Sequence, residues 1–190
     1  MAVRKPNISE NGVYFCTFTC CHWLPLFEKT NAYDLVYKWF NYLQKHHHNI
    51  VGYIIMPNHL HLLIDYHFDG KSLNTIIGNG KRFLAYDIVQ RLTEQKETEI
   101  LKKLSEKVNP SDRKRGKIHH VFEDSFEMKI CKSQEFLLQK LNYIHNNPCS
   151  GKWQLAKDTI SYPHSSASFY DTGVQGVYSI TSWMEINGND

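Results

Sequence analysis

Gly52-Tyr53-Ile54-Ile55-Met56-Pro57-Asn58-His59-Leu60-His61-Leu62-Leu63-Ile64-Asp65 is two apolar runs joined at Met-Pro-Asn. The pattern predicts a β-hairpin with two histidines just past its turn. Side chains alternate across a strand, so His59 and His61 share a face with Leu63 and Asp65. Leu60, Leu62 and Ile64 form the opposite, apolar face. One face suits a core and the other suits chemistry. Two imidazoles so spaced can hold one metal ion if another element brings a third ligand. Taken alone, the pair carries little weight, because histidines also sit at strand ends without a ligand.

The 190 residues are enough for one ample core and too few for a comfortable second domain. Hydrophobic residues make up 42% and aromatics 13%, as in a folded globular chain. A formal charge of +3 does not announce nucleic-acid binding, so that reading must rest on local patches. The five cysteines (Cys16, Cys20, Cys21, Cys131, Cys149) are odd in number and include no CxxC pair. Cys20, Cys21 and His22 lack the usual ligand spacing. Met1 to Asn7 lacks the apolar region of a secretion signal, and no apolar run approaches membrane-spanning length. The expectation is a cytoplasmic protein with reduced thiols and no membrane partner. It is read as one domain over 1–190, with a core of about 13–170, a basic flexible insertion at about 93–117 and a tail at 171–190.

Along the chain, Val13 to Cys20 is rich in β-branched and aromatic residues and predicts a first strand. A loop around Pro25 follows. Asn31 is the expected N-cap of a helix to about His48, with Leu35, Val36, Trp39, Phe40 and Leu43 as its buried stripe. After the hairpin, Ser72 caps a second helix that contains Gly78 and Gly80 and carries Lys81, Arg82 and Phe83. From Thr93 to Lys117 the composition turns polar and basic. That stretch reads either as a solvated helix end and mobile loop, or as a phosphate-contacting arm that includes Arg113, Lys114 and Arg115. Val121 to Ile130 predicts a fourth strand. Ser133 then caps a third helix whose buried face is Leu137, Leu141 and Ile144, while Phe136, Lys140, Tyr143 and Asn147 share another face. The chain is expected to be irregular after Gly151, with a terminal strand over Val177 to Ile186.

This order suggests an α+β fold: a ferredoxin-like, RRM-like antiparallel sheet with helices packed on its faces. In such a fold the third helix covers the histidine face of the hairpin, so that Tyr143 and Asn147 approach the pair. Asn147 would offer an oxygen to a metal. A divalent ion on His59, His61 and one oxygen keeps open positions and can polarise a phosphate oxygen. The Tyr143 phenol can then attack phosphorus, forming a phosphotyrosine and releasing a 3′-hydroxyl. In eleven tyrosines, one on a packed helix is also an ordinary core residue.

These residues resemble the REP-associated tyrosine transposases, relatives of the single-tyrosine insertion-sequence transposases in the HUH superfamily. Met56-Pro57-Asn58-His59-Leu60-His61-Leu62-Leu63 is similar to the MPNHxHLL signature, and Tyr143-Ile144-His145-Asn146-Asn147-Pro148 to YIHNNP. Lys81-Arg82-Phe83 is similar to a K-[GR]-R-F-like segment, and Tyr162-Pro163-His164-Ser165-Ser166 to YPWSS. The resemblance runs from about Val13 to Tyr170, with the motifs in order. It implies a metal-dependent endonuclease and strand transferase acting on single-stranded DNA near hairpins of palindromic repeats, through a 5′-phosphotyrosine. It implies Tyr143 as nucleophile, with His59, His61 and Asn147 as ligands of Mg²⁺ or Mn²⁺. Lys81, Arg82, Arg113, Lys114 and Arg115 are the expected DNA contacts. Monomer and homodimer both stay open. The chain departs from the family at Cys149-Ser150-Gly151-Lys152-Trp153, where a VRAGLV-like run is usual, and at His164, where tryptophan is usual. Two other readings compete: a hairpin-binding module without catalysis, and a metallohydrolase that activates water at the His-x-His pair.

Overall fold

A strand with both faces covered must carry an apolar side chain nearly everywhere, and every residue of His59–Tyr66 is buried. The computed structural model describes residues 7–151 and 153–187, which leaves Lys152 and both chain ends outside. Four strands form one antiparallel sheet of order β2-β3-β1-β4: β1 Gly12–Cys20, β2 Asn49–Met56, β3 His59–Tyr66 and β4 Phe122–Ile130. The β2–β3 hairpin turns at Pro57 and Asn58, and β3 pairs with β1 on its other side. This is the ferredoxin-like α+β order that the sequence suggests.

The two faces of β3 belong to different cores. Leu60, Leu62 and Ile64 join Tyr14, Cys16 and Phe18 of β1 beneath α2 (Tyr33–Lys45) and α3 (Leu73–Glu94). On the other face, Phe15, Ile54, Met56 and Leu63 meet Leu137, Leu141 and Ile144 of α6 (Gln134–Asn146). Local chemistry sets the helix starts: the Ser72 hydroxyl accepts from the Thr75 N–H, and that of Ser133 from Phe136. Two glycines permit close approach. A Cβ on Gly80 of α3 would lie 2.4 Å from the Trp39 ring, and one on Gly52 of β2 would lie 2.6 Å from Leu141.

Several elements differ from the sequence reading. Asn31 does not cap α2. Its φ is +48°, and the helix begins at Tyr33 without a side-chain cap. Arg91 of α3 explains this, because its guanidinium donates to the carbonyls of Thr30 and Asn31 and forks onto Asp34. A short helix, α1 (Leu26–Lys29), stands where a loop was expected. The basic stretch is not a loop but two helices, α4 (Thr98–Glu106) and α5 (Pro110–Lys114). Leu104 and Val108 are buried at helical spacing among the charges. The Asn109 side chain caps α5, with Pro110 at its first position.

The expected terminal strand is absent among the described residues. Tyr178 and Ile180 fold onto the core, and the helix α8 (Trp183–Asn187) follows. Before it, α7 (Ala167–Thr172) ends at Gly173, whose φ of +77° suits a helix stop. Ser165 bridges to Ile54 at the outer edge of β2, and Thr181 N–H donates to Ile50. The five cysteines are unpaired thiols. No helix among the described residues is long and apolar enough to cross a membrane.

Gly78 and Gly80, two residues apart on one helix, should respond oppositely to alanine. Gly80→Ala forces a methyl into Trp39 and should cost about 1–3 kcal/mol. At Gly78 a Cβ meets nothing within 4 Å, so Gly78→Ala should gain about 0.5–1 kcal/mol of helix stability. Urea denaturation midpoints check both signs.

Candidate active site

β3 delivers His59 and His61 to the face beneath α6, with ring centroids 4.7 Å apart. The turn fixes the first ring. His59 Nδ1 lies 2.7 Å from the Asn58 Oδ1, while the Asn58 amide donates to the Trp23 carbonyl at 3.2 Å. With its oxygen thus presented to the ring, Asn58 holds the proton on Nδ1 and leaves the Nε2 lone pair available. The Asn147 side chain, just past the end of α6, adjoins His59 and donates from its Nδ2 to the Tyr143 carbonyl at 3.3 Å. His61 stacks on Phe15 at 5.5 Å, and its buried Nδ1 has no hydrogen-bond partner.

Burial pushes the His59 imidazole down to about 4, partly opposed by the adjoining Asn147 side chain. Burial, aided by His59 and Lys140, pushes His61 down to about 3. Both rings are therefore neutral near pH 7, the form a metal ion requires. Among the described residues, no group of three His, Cys, Asp or Glu side chains is placed to hold a metal. A third protein ligand must be of another type, and the Asn147 amide adjoins the pair. Two neutral imidazoles, one with an unpartnered nitrogen, and a carboxamide fit a divalent ion with open positions.

Tyr143 stands one helical turn before Asn147. Its ring centroid is 5.3 Å from His61 and 6.3 Å from Phe15, edge-on to both. The residue is 53% exposed. The Lys140 ammonium lies 4.5 Å from the Phe15 centroid and 5.7 Å from that of Tyr143. The helix that carries these groups is fastened to the sheet. His145 Nε2 and Ser166 Oγ are 2.8 Å apart, and Ser166 Oγ accepts from the Tyr53 N–H. His164, standing where the resemblance has tryptophan, keeps an aromatic role by stacking flat on Tyr33 at 3.6 Å.

The fold thus brings His59, His61, Tyr143 and Asn147 together. It does not bring the five expected DNA-contacting cations to them. Lys81 donates to the Glu123 carbonyl at 2.7 Å, with its ammonium over the Phe126 ring. Arg113 donates to the Ser105 carbonyl, and Arg115 pairs with Asp112. Arg82 and Lys114 are exposed. Sequence reading missed the orienting role of Asn58, whose only signal was its place in the turn before His59. Lys140, placed by the sequence on the same helix face as Tyr143, is indeed a neighbour of the phenol.

No family model and no curated protein sequence matches the chain. Among solved structures it is similar to a REP-associated tyrosine transposase bound to a REP hairpin, with a TM-score of 0.56. Identity is 13%, and the match covers 96% of this chain and 92% of that one. At that identity the likeness establishes the fold.

The buried imidazoles give a pH signature. His145 is likewise pushed down to about 4 by burial. All three folded-state values lie below the ordinary 6.5, so protonation favours the unfolded chain. Their stabilisation is complete above about pH 6.5 and is lost as pH falls toward 4. Each can cost up to about 2 kcal/mol at pH 5. Without divalent metal, the melting temperature should drop between pH 7 and pH 5, and His61→Gln should shrink that drop.

Proposed function

We propose that the protein is a metal-dependent tyrosine endonuclease and strand transferase acting on single-stranded DNA, in the manner of the REP-associated tyrosine transposases. One observation carries the reading: the exposed Tyr143 phenol, from a distant part of the chain, stands beside two buried, neutral imidazoles. A surface tyrosine needs no such neighbours for packing. His59, His61 and Asn147 would hold Mg²⁺ or Mn²⁺, which when bound supplies a Lewis acid for a phosphate oxygen.

The protein's own groups then divide the work. Asn58 keeps the His59 tautomer, and Phe15 holds the plane of His61 by stacking. Tyr143 oxygen attacks phosphorus, forming an O–P bond as the P–O3′ bond breaks. The phenol proton leaves to solvent, and the departing 3′-oxygen takes up a proton. The ester retains the energy of the broken linkage, so a second strand's 3′-hydroxyl can reverse the step without a nucleotide cofactor. A DNA hairpin flanked by unpaired nucleotides is the substrate class, consistent with the hairpin bound to the similar transposase.

Hairpin-bearing single strands incubated with Mn²⁺ should yield a covalent adduct with the wild-type protein and none with Tyr143→Phe. No adduct from wild type over a wide hairpin panel would leave a binding module. Cleavage that persists in Tyr143→Phe would mean that water is the nucleophile. Asn58→Ala should keep the fold yet weaken Mn²⁺ binding about 10–100-fold by calorimetry, as expected when the partner orienting a ligand is lost. Neutralising Arg113, Lys114 and Arg115 should weaken hairpin binding and lower the slope of log affinity against log salt by up to about 1 per lost phosphate contact. An unchanged slope would assign those residues to the α5 surface alone.

A further inference from the structure

A second site lies away from the tyrosine. Residues 78–89 of α3 and 115–126, distant in sequence, enclose a cavity of about 630 Å³. That is within the usual size of a small-ligand pocket. Its walls combine apolar and aromatic groups with cations: Arg82, Tyr86 and Val89 from α3, and Arg115, Lys117 and Phe126 from the later segment. Tyr86 and Ile118 are 65% and 64% exposed. Exposed apolar surface beside arginines and a planar aromatic is the composition of a stacking platform with a backbone-tracking rim.

We infer that this cavity captures an unpaired nucleotide of the DNA strand, its base stacked on Tyr86 and its phosphate held by Arg82. The inference rests on the reading of the protein as one that acts on single-stranded DNA. Several observations favour a nucleotide over an apolar ligand or a bare anion. Three of the five cations expected to touch DNA, Lys81, Arg82 and Arg115, converge here, although the fold keeps them from the histidine face. The acidic groups in the lining suit a base rather than oppose it. Glu123 already accepts the His22 N–H, while Asp124, 80% exposed, offers an acceptor for the exocyclic amino group of a base.

The location also fits one continuous strand. Phe122, in the cavity wall, is opposite Cys20 of β1, and the neighbouring Thr19 is opposite His59. Across the strands, Phe122 and His59 are therefore about two strand spacings apart, roughly 10 Å, at one end of the sheet. They lie on opposite faces, so the DNA would round the start of β4 between them. A base held in the cavity would then fix which phosphodiester reaches Tyr143.

The test uses fluorescein-labelled single strands of equal length, one with bases and one abasic, bound to the full chain at several salt concentrations. Gly78→Leu places a side chain where a Cβ meets no neighbour, in the cavity wall, and replaces a helix glycine by a better helix former. It should weaken binding of the base-bearing strand about 5–30-fold and leave the abasic strand unchanged. Tyr86→Ala should do the same. Arg82→Gln should weaken both strands and lower the salt slope by about 1. A 2-aminopurine in the strand should be quenched by wild type and not by Gly78→Leu. Unchanged binding in Gly78→Leu and Tyr86→Ala, or equal loss on both strands, would overturn the pocket. Failure of the tyrosine mechanism reads out separately, as a missing adduct with these binding differences intact.

Discussion

A strand covered on both faces has no place to discard a polar side chain, and β3 carries three: His59, His61 and Asp65. Each must find a partner inside the protein or remain a cost of about 1–3 kcal/mol. Asp65 is matched by Asn49 and His67. His59 is matched by Asn58. His61 keeps one nitrogen unmatched. Of these three side chains of β3, the one left with an unmatched nitrogen is on the face where Tyr143 stands. That uncompensated nitrogen is the kind of local cost that folds retain at sites of chemistry.

Helix α6 owes its position to contacts remote from that nitrogen. Leu141 settles over Gly52, where no Cβ obstructs it, and the His145–Ser166 hydrogen bond ties the same helix to the backbone of β2. Since β2 and β3 form one hairpin, the groups on α6 and the imidazoles on β3 share a single rigid frame. Tyr143 keeps its distance from His61 through packing, without a side-chain bond of its own to secure it. Geometry held in this way is fixed before anything binds.

Much of this was legible in the sequence because the signals were local. Alternation in β3 told which residues face which core, and Ser72 and Ser133 marked two helix starts. The Leu137, Leu141, Ile144 spacing told which side of α6 meets the sheet. What stayed hidden depended on partners far along the chain. Asn31 has the chemistry of a cap, but Arg91 takes its carbonyl and redirects the backbone. Leu104 and Val108 were masked by surrounding lysines, so two helices read as a helix end with a mobile loop, or as a flexible arm. Charge counting located the cations but could not tell on which face they would emerge. The histidines, Tyr143 and Asn147 were nameable from motif and spacing, whereas the orienting role of Asn58 appears only once the turn is folded.

The sheet is finished at both sides by different means. Ser165 and Thr181 occupy backbone groups of β2, so the chain's own C-terminal segment seals that margin. At the other margin β4 places charged Glu123, Asp124, Glu127 and Lys129, which discourage an added strand. The sheet is four strands wide, closed by the chain itself at one margin and guarded by charge at the other. The sheet is thus a platform of four strands with the His59 and His61 rings on one face and a lined hollow on the other. Its span is set by backbone hydrogen bonding and is insensitive to which surface residues decorate it.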